Sequence, residues 1–428
     1  MKRILKTAAC TLLLAAPVAL TACSSSTDSE STVSDAPVYD LRDKVKPISL
    51  TQEQRDLTHS CNAFAFDLLR TIDRQEADGK NRFLSPMSVG YVLGMLHSGA
   101  AGQTRQQINR VAGFQGATPE VVNFYYQKLS ENLPKVDPTV TLRTANAIYT
   151  NSALGITLKD AYQQAMQTYY QAQVKGLDYS KSASLSEINS WCSKQTDGMI
   201  SKMLDRLNPA TVCTLINAIY FKATWTEKFD EKDTRDVAFT AAGNKQKLPM
   251  MHRLGRIRYA ENDLFRMIQL PYGAGQWAMR VLLPTNGHSA DDIVAALGAD
   301  SFDGDQLHYE TADVDILLPR FECDTKMELI DVLTSMGMPL AFDANAAEFP
   351  DICDQGNLYI SRMLQKARIE VSEEGTKAAA VTVAEANITS ASEPQFRRLD
   401  FHCTQPFVYL ITERSSDAVC FVGKFTGK

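Results

Sequence analysis

Residues 373–390 read EEGTKAAAVTVAEANITS, from Glu373 to Ser390. Two acids and Gly375 make a polar turn with a backbone pivot. Ala378, Ala379 and Ala380 follow, then the β-branched run Val381, Thr382 and Val383. In a strand, alternate residues share a face. Thr376, Ala378, Ala380 and Thr382 fall on one face, where no side chain is large or charged enough to keep the segment out of a packed sheet. Lys377 falls on the other face, where its charge reaches water. Such a run fits an exposed loop rich in Ala, Thr and Glu. It also fits a strand held in reserve, able to join a sheet later.

Outward from this stretch, further motifs occur in a fixed order. They are SPMSVGYVLGMLHSGAAGQT from Ser85 to Thr104, LINAIYFKATWTEKFD from Leu215 to Asp230, LPY with VLLPT from Leu270 to Thr285, and LPRFECDTKMEL from Leu318 to Leu329. Beyond the stretch come HCTQPFVYLITE and VCFVGKF, between His402 and Phe425. Together they resemble the serpin family over roughly residues 50–428, and 373–390 is similar to the proximal hinge of an inhibitory serpin's reactive-centre loop. The periodicities read independently as α+β: helical over Ser60 to Ile72 and Pro86 to Ser98, with strands dominating the later half. Ser85 is a candidate N-cap with Pro86 at the first helical position. The resemblance implies three β-sheets, about nine helices and an exposed reactive-centre loop over about 373–400.

No hydrolase signature is present. The chain has no Gly-x-Ser-x-Gly, His-Glu-x-x-His or Walker loop, and Gly273-Ala274-Gly275 reads as a hairpin turn, not a nucleotide site. Its six histidines, at 59, 97, 252, 288, 308 and 402, stand apart in sequence and read as surface or core residues, so no metal and no cofactor is expected. The net charge of -6, without a basic run, argues against nucleic acid. Neither a disulfide framework nor a zinc site is suggested by the seven scattered cysteines downstream of Cys23. They read as small core residues.

The first residues read as an address. Lys2, Arg3 and Lys6 precede an apolar run, and Leu20-Thr21-Ala22-Cys23 resembles a lipoprotein signal with cleavage before Cys23. Residues 1–22 are then a signal peptide, Cys23 carries lipid, 23–50 form a Ser/Thr/Asp-rich tether, and 51–428 form the domain. The expected location is the cell envelope, with the outer membrane suggested by Ser24. Whether the domain faces the periplasm or the extracellular space stays open.

What the chain does follows from the resemblance. It implies a monomeric suicide substrate, not an enzyme: a target serine protease attacks the loop, forms an acyl-enzyme, and is trapped when the cut loop inserts into the central sheet. In many inhibitory serpins the cleaved residue lies fourteen positions after the hinge glycine, which gives Thr389, with Ser390 following it. Bonds after Ile388, Ala391 and Ser392 stay open. A threonine suits a small, uncharged specificity pocket, so elastase-like proteases are expected, and Ile388 also suits papain-like cysteine proteases. By the same resemblance the hinge comprises Glu373, Gly375, Thr376, Ala378, Ala379, Ala380 and Thr382, the breach contains Trp225 with Arg320 facing Glu373, and the polar shutter contains Ser85, Ser88 and Asn217. Gln365 stands at the shutter position where many serpins have histidine. An amide there hydrogen-bonds but does not titrate near neutral pH. A non-inhibitory serpin acting as a binding or carrier module is the alternative.

Overall fold

The structure, a computed structural model, describes residues 44–76, 79–114, 116–355, 358–376 and 396–428. Eight α-helices form among them: α1 (Gln52–Gln75), α2 (Pro86–Gly99), α3 (Gly102–Ala112), α4 (Pro119–Asn132), α5 (Asp160–Tyr170), α6 (Ser182–Gln195), α7 (Ala290–Ala296) and α8 (Ile330–Ser335). No described helix is long and apolar enough to cross a membrane. Thr51 caps α1 through a reciprocal capping box with Gln54. Ser85 caps α2, as its position before Pro86 predicts.

Helix α2 is apolar almost all round and accordingly lies inside the molecule. Its glycines serve close packing: a Cβ at Gly94 would stand 2.9 Å from the Tyr126 ring and 2.7 Å from the Tyr170 hydroxyl. Methyl groups there would force the helices apart, and overpacking of this kind costs about 1–3 kcal/mol.

Two hydrogen-bonded sheets organise the described strands. The six-stranded sheet runs β10 (Phe321–Glu328), β11 (Arg362–Ser372), β12 (Gly375–Thr376), β4 (Cys213–Thr224), β2 (Thr141–Asn151) and β3 (Gln173–Leu177). The nine-stranded sheet runs β1 (Arg82–Leu84), β15 (Val419–Phe425), β14 (Phe407–Glu413), β8 (Trp277–Pro284), β7 (Phe265–Tyr272), β6 (Asn244–Glu261), β9 (His308–Pro319) and β13 (Arg397–His402), with β5 (Arg235–Ala241) paired to β6. The third sheet of the sequence reading is continuous with the second. The cause is β6: its 18 residues pair with β7 at one end and β5 at the other, and with β9 along most of their length.

Between the two sheets Phe221 meets Trp277 and Phe421 at ring separations of 5.2 and 5.7 Å. Of the seven described cysteines, Cys61 is half-buried and the other six are buried, in keeping with their reading as core residues. Burial pushes the Cys61 thiol up to about 12, which leaves it protonated and unreactive at neutral pH. Ile48 and Leu50, which composition assigned to the tether, are instead buried in the core, and Lys46 N–H donates to Val136 O at 2.9 Å. Their apolar side chains have a surface to cover. The packed part of the chain therefore begins before residue 51.

Candidate functional site

Strands β4 and β11 run parallel and pair directly from Thr214↔Arg362 to Tyr220↔Arg368. Beyond that point they part. β11 ends at Ser372, the chain reverses through Glu373 and Glu374, and β12 re-enters the sheet antiparallel to both neighbours: Thr376 opposes Val371 on one side and Ala223 on the other. An antiparallel strand between two parallel ones offers each side a regular ladder.

Gly375 makes the reversal possible. Its φ of +138° is a conformation that side-chain-bearing residues rarely adopt, and a Cβ would stand 2.3 Å from Ala223 O. Thr376 is fully buried, and its hydroxyl shares a 2.7 Å hydrogen bond with the Tyr272 hydroxyl. Burial holds the Tyr272 phenol well above its ordinary range, so it stays neutral beside Thr376. The inward face assigned to Thr376 by alternation is the one observed. Ala378, Ala379, Ala380, Thr382, Thr389 and Ser390, like Cys23, lie outside the described residues.

Trp225 closes this end. Its indole stacks on Tyr272 at 4.3 Å with an interplanar angle of 11°. The ring N–H donates to Ser372 O at 2.9 Å, and the backbone N–H donates to Glu374 O at 3.0 Å. Glu373 lies buried beneath the turn and does face Arg320, at 3.5 Å. Its shorter bond, missed by sequence reasoning, comes from the Thr234 hydroxyl at 2.7 Å. A lone threonine in a polar loop carries no signal of that partnership.

Midway along the direct β4–β11 ladder, where Gln365 pairs with Asn217, lie the residues expected to form the shutter. Asn146 of β2, Asn217 of β4 and Gln365 of β11 form one row across three strands. Asn217 Nδ2 donates to Asn146 Oδ1 at 2.7 Å and to Ser88 O at 3.0 Å, and Gln365 Nε2 donates to Asn217 Oδ1 at 3.1 Å. Gln365 also grips the start of α2: Ser85 N–H donates to its Oε1 at 3.1 Å and its Nε2 donates to Ser85 O at 2.8 Å. The Ser85 hydroxyl accepts from Ser88 N–H and donates to Cys420 O at 2.7 Å, which ties the helix to β15. All four predicted shutter residues meet here, together with Asn146, which the sequence did not single out. Buried amides must be paired, and these pair with one another across the very line where β4 and β11 join.

The isolated histidines are a correction. His252 and His402, 150 positions apart in sequence, converge on one oxygen of Asp315, at 3.0 and 3.3 Å.

Comparison with known proteins accords with this architecture. The family model "Serpin (serine protease inhibitor)" matches residues 59–427. An uncharacterized serpin-like protein of Thermococcus kodakarensis is 30% identical over 375 residues, covering 87% of this chain and 86% of its own. The leukocyte elastase inhibitor of Xenopus tropicalis is 29% identical over 382 residues, covering 87% and 99%. Among solved structures, the thermophilic serpin tengpin in its native state superposes with a TM-score of 0.78 at 28% identity, covering 91% of this chain and 99% of its own. Human thyroxine-binding globulin superposes at 0.76 with 27% identity, covering 87% and 98%. The family consists mostly of protease inhibitors and includes non-inhibitory members. With a forked central sheet, a hinge seated in the fork and the family's model matched over most of its length, this chain belongs to the serpins.

Proposed function

We propose that this protein is a suicide-substrate inhibitor of elastase-like serine proteases, and that papain-like cysteine proteases form a second target class. The observation that supports it most is the seating of Gly375–Thr376 between β4 and β11. Loop insertion needs a strand that enters antiparallel to both neighbours, with a small inward-facing residue leading. Thr376 has both properties, and Ala378, Ala380 and Thr382 continue the pattern in sequence.

Insertion exchanges one direct ladder of seven residue pairs for two ladders flanking the new strand. About ten extra backbone hydrogen bonds at roughly 1 kcal/mol each approach the whole stability of an ordinary domain, about 5–15 kcal/mol. The uncut chain is then a kinetic trap whose relaxation after cleavage outruns deacylation of the bound protease. By likeness to inhibitory serpins, in many of which the cleaved residue lies fourteen positions after the hinge glycine, cleavage is proposed after Thr389, with the bonds after Ile388, Ala391 and Ser392 as the alternatives. Anchorage in the cell envelope through lipid on Cys23 belongs to the same proposal and rests on the Leu-Thr-Ala-Cys sequence alone.

Incubation with an elastase is expected to give a covalent complex that survives boiling in detergent, with the cut mapped after Thr389 by mass spectrometry. Clean cleavage without complex, and without a rise in the melting temperature of the cut chain, would instead favour a carrier role such as the likeness to thyroxine-binding globulin suggests.

A further inference from the structure

On the outer face of β6, β9 and β13, registered residues form three short rows. Arg256, Asp313 and Arg398 make the first, Leu254, Asp315 and Asp400 the second, His252, Leu317 and His402 the third. Asp313 is engaged by Arg256 at 3.2 Å. Asp315 has no such cation. Its Oδ1 instead receives the Nε2 atoms of both histidines, at 3.0 and 3.3 Å, and the ligand atoms of Asp315, Asp400 and His402 all lie within 4.8 Å of one another.

Two imidazole nitrogens and two carboxylates are a donor set suited to a borderline transition metal. Zn²⁺ bonds imidazole nitrogen at about 2.0–2.1 Å and carboxylate oxygen at about 2.0–2.2 Å, in tetrahedral sites whose neighbouring ligand atoms are therefore about 3.3–3.5 Å apart. The two histidine–aspartate separations are close to that edge length already. His252 comes from β6, Asp315 from β9, and His402 and Asp400 from β13, so three adjacent strands hold the donors in place. Their side chains are about a quarter to a third exposed for His252, Asp315 and His402, and an open groove of about 870 Å³ passes Leu254, Asp315 and Asp400. An ion can reach the cluster from solvent without unfolding anything.

We propose that His252, Asp315, His402 and, after a rotamer change, Asp400 bind a divalent transition metal, with Zn²⁺ the best fit. The ion would clamp β13, the strand immediately downstream of the reactive-loop segment, onto β9 and β6. Cations that prefer all-oxygen shells, such as Mg²⁺, would not compete, because half the donors are nitrogens.

The test is calorimetric titration of the full chain, purified without a polyhistidine tag, with zinc chloride, beside His252→Ala, His402→Ala and the double variant. One equivalent is expected to bind, each single variant to weaken binding about tenfold or more, and the double variant to lose it. Absence of binding, or equal binding by the double variant, overturns the proposal. Should a variant fold poorly, diethylpyrocarbonate mapping of the unaltered chain decides: zinc should protect His252 and His402 while the more exposed His59 and His288 stay reactive. Unprotected His252 and His402 overturn it equally.

Discussion

The seam between β4 and β11 is built differently at its open end and midway along its length. At the Thr376 end the chain already occupies the space between the strands, held by backbone bonds to Trp225 and a buried hydroxyl pair with Tyr272. About six residues along β11, at Gln365, the strands touch directly and side-chain amides are bonded across the seam. Contacts of the first kind survive when the strand lengthens. The Gln365–Asn217 bond cannot, because a strand entering there would separate β4 from β11 by another sheet spacing, about 4.8 Å. If the loop inserts as proposed, the Thr376 end governs whether entry begins and the amide row how readily the sheet opens.

The largest effect is expected where entry begins. Thr376 is fully buried against Tyr272, so Thr376→Arg places a long cation where a hydroxyl now fits. An unpaired buried charge is strongly disfavoured. The hinge should be expelled from the fork and the protein become a plain substrate, with its covalent elastase complex lost on denaturing gels and cleavage retained. Unchanged complex formation by this variant would break the insertion mechanism.

Next comes the amide row. Asn217→Ala leaves Asn146 Oδ1, Ser88 O and the Gln365 side chain each short of a bond. Gln365 Nε2 keeps its bond to Ser85 O and Ser88 O lies within α2, so the main loss is the donor to Asn146 Oδ1; a buried polar group left unpaired costs about 1–3 kcal/mol, and the uncut chain should lose about that much in urea unfolding. The cut, inserted form should lose less by the share of the Gln365 bond, the one of these three that crosses the β4–β11 seam. Equal losses in both forms would show that the row stabilises the fold at large and not the closed sheet.

How far these two regions were legible in the sequence follows from the range of their contacts. Ser85-Pro86 announces a helix start through two adjacent positions, and Gly375 followed by alternating small residues announces a strand able to enter a sheet. The helix expected over Pro86 to Ser98 is found at Pro86–Gly99, because periodicity and a capping serine are local signals. Asn146, Thr234 and Tyr272 gave no such signal. Their partners Asn217, Glu373 and Thr376 are 71, 139 and 104 positions away, and a polar residue within a strand or loop looks the same whether or not a distant partner awaits it. Gln365 was legible only through family likeness, and the meeting of His252 with His402 depends on the register of three strands joined across long connections.

A third effect comes from the far end of α2, beyond the shutter serines. His97 is fully buried there, and burial, helped by the charge of Arg105, holds its imidazole down at about 4. The unfolded chain binds a proton near pH 6.5, whereas the folded chain does so only near 4. Between these values unfolding takes up a proton, so stability is complete above about pH 6.5 and falls as the pH drops towards 4. The depression corresponds to on the order of 3 kcal/mol at most. Urea midpoints measured from pH 7.5 to 4.5 should fall more steeply for the native chain than for His97→Leu. Parallel pH profiles would show that His97 plays no part in the acid sensitivity of the fold.

The smallest effect separates the two partners of Glu373. Its carboxylate is 4% exposed, whereas the Arg320 side chain is 51% exposed and 3.5 Å away. Half in water, the guanidinium adds little, as exposed ion pairs do: about 0–1 kcal/mol. The Thr234 hydroxyl sits 2.7 Å from the same oxygen, and a hydrogen bond to a charged group contributes about 1.5–3 kcal/mol. Arg320→Ala should therefore shift the urea midpoint by less than Thr234→Val, and should leave the rate of elastase inhibition within about twofold. The reverse order would mean that long-range charge, not the hydroxyl, fixes the turn. The Thr376 end would then resemble the amide row in depending on a contact made across the opening.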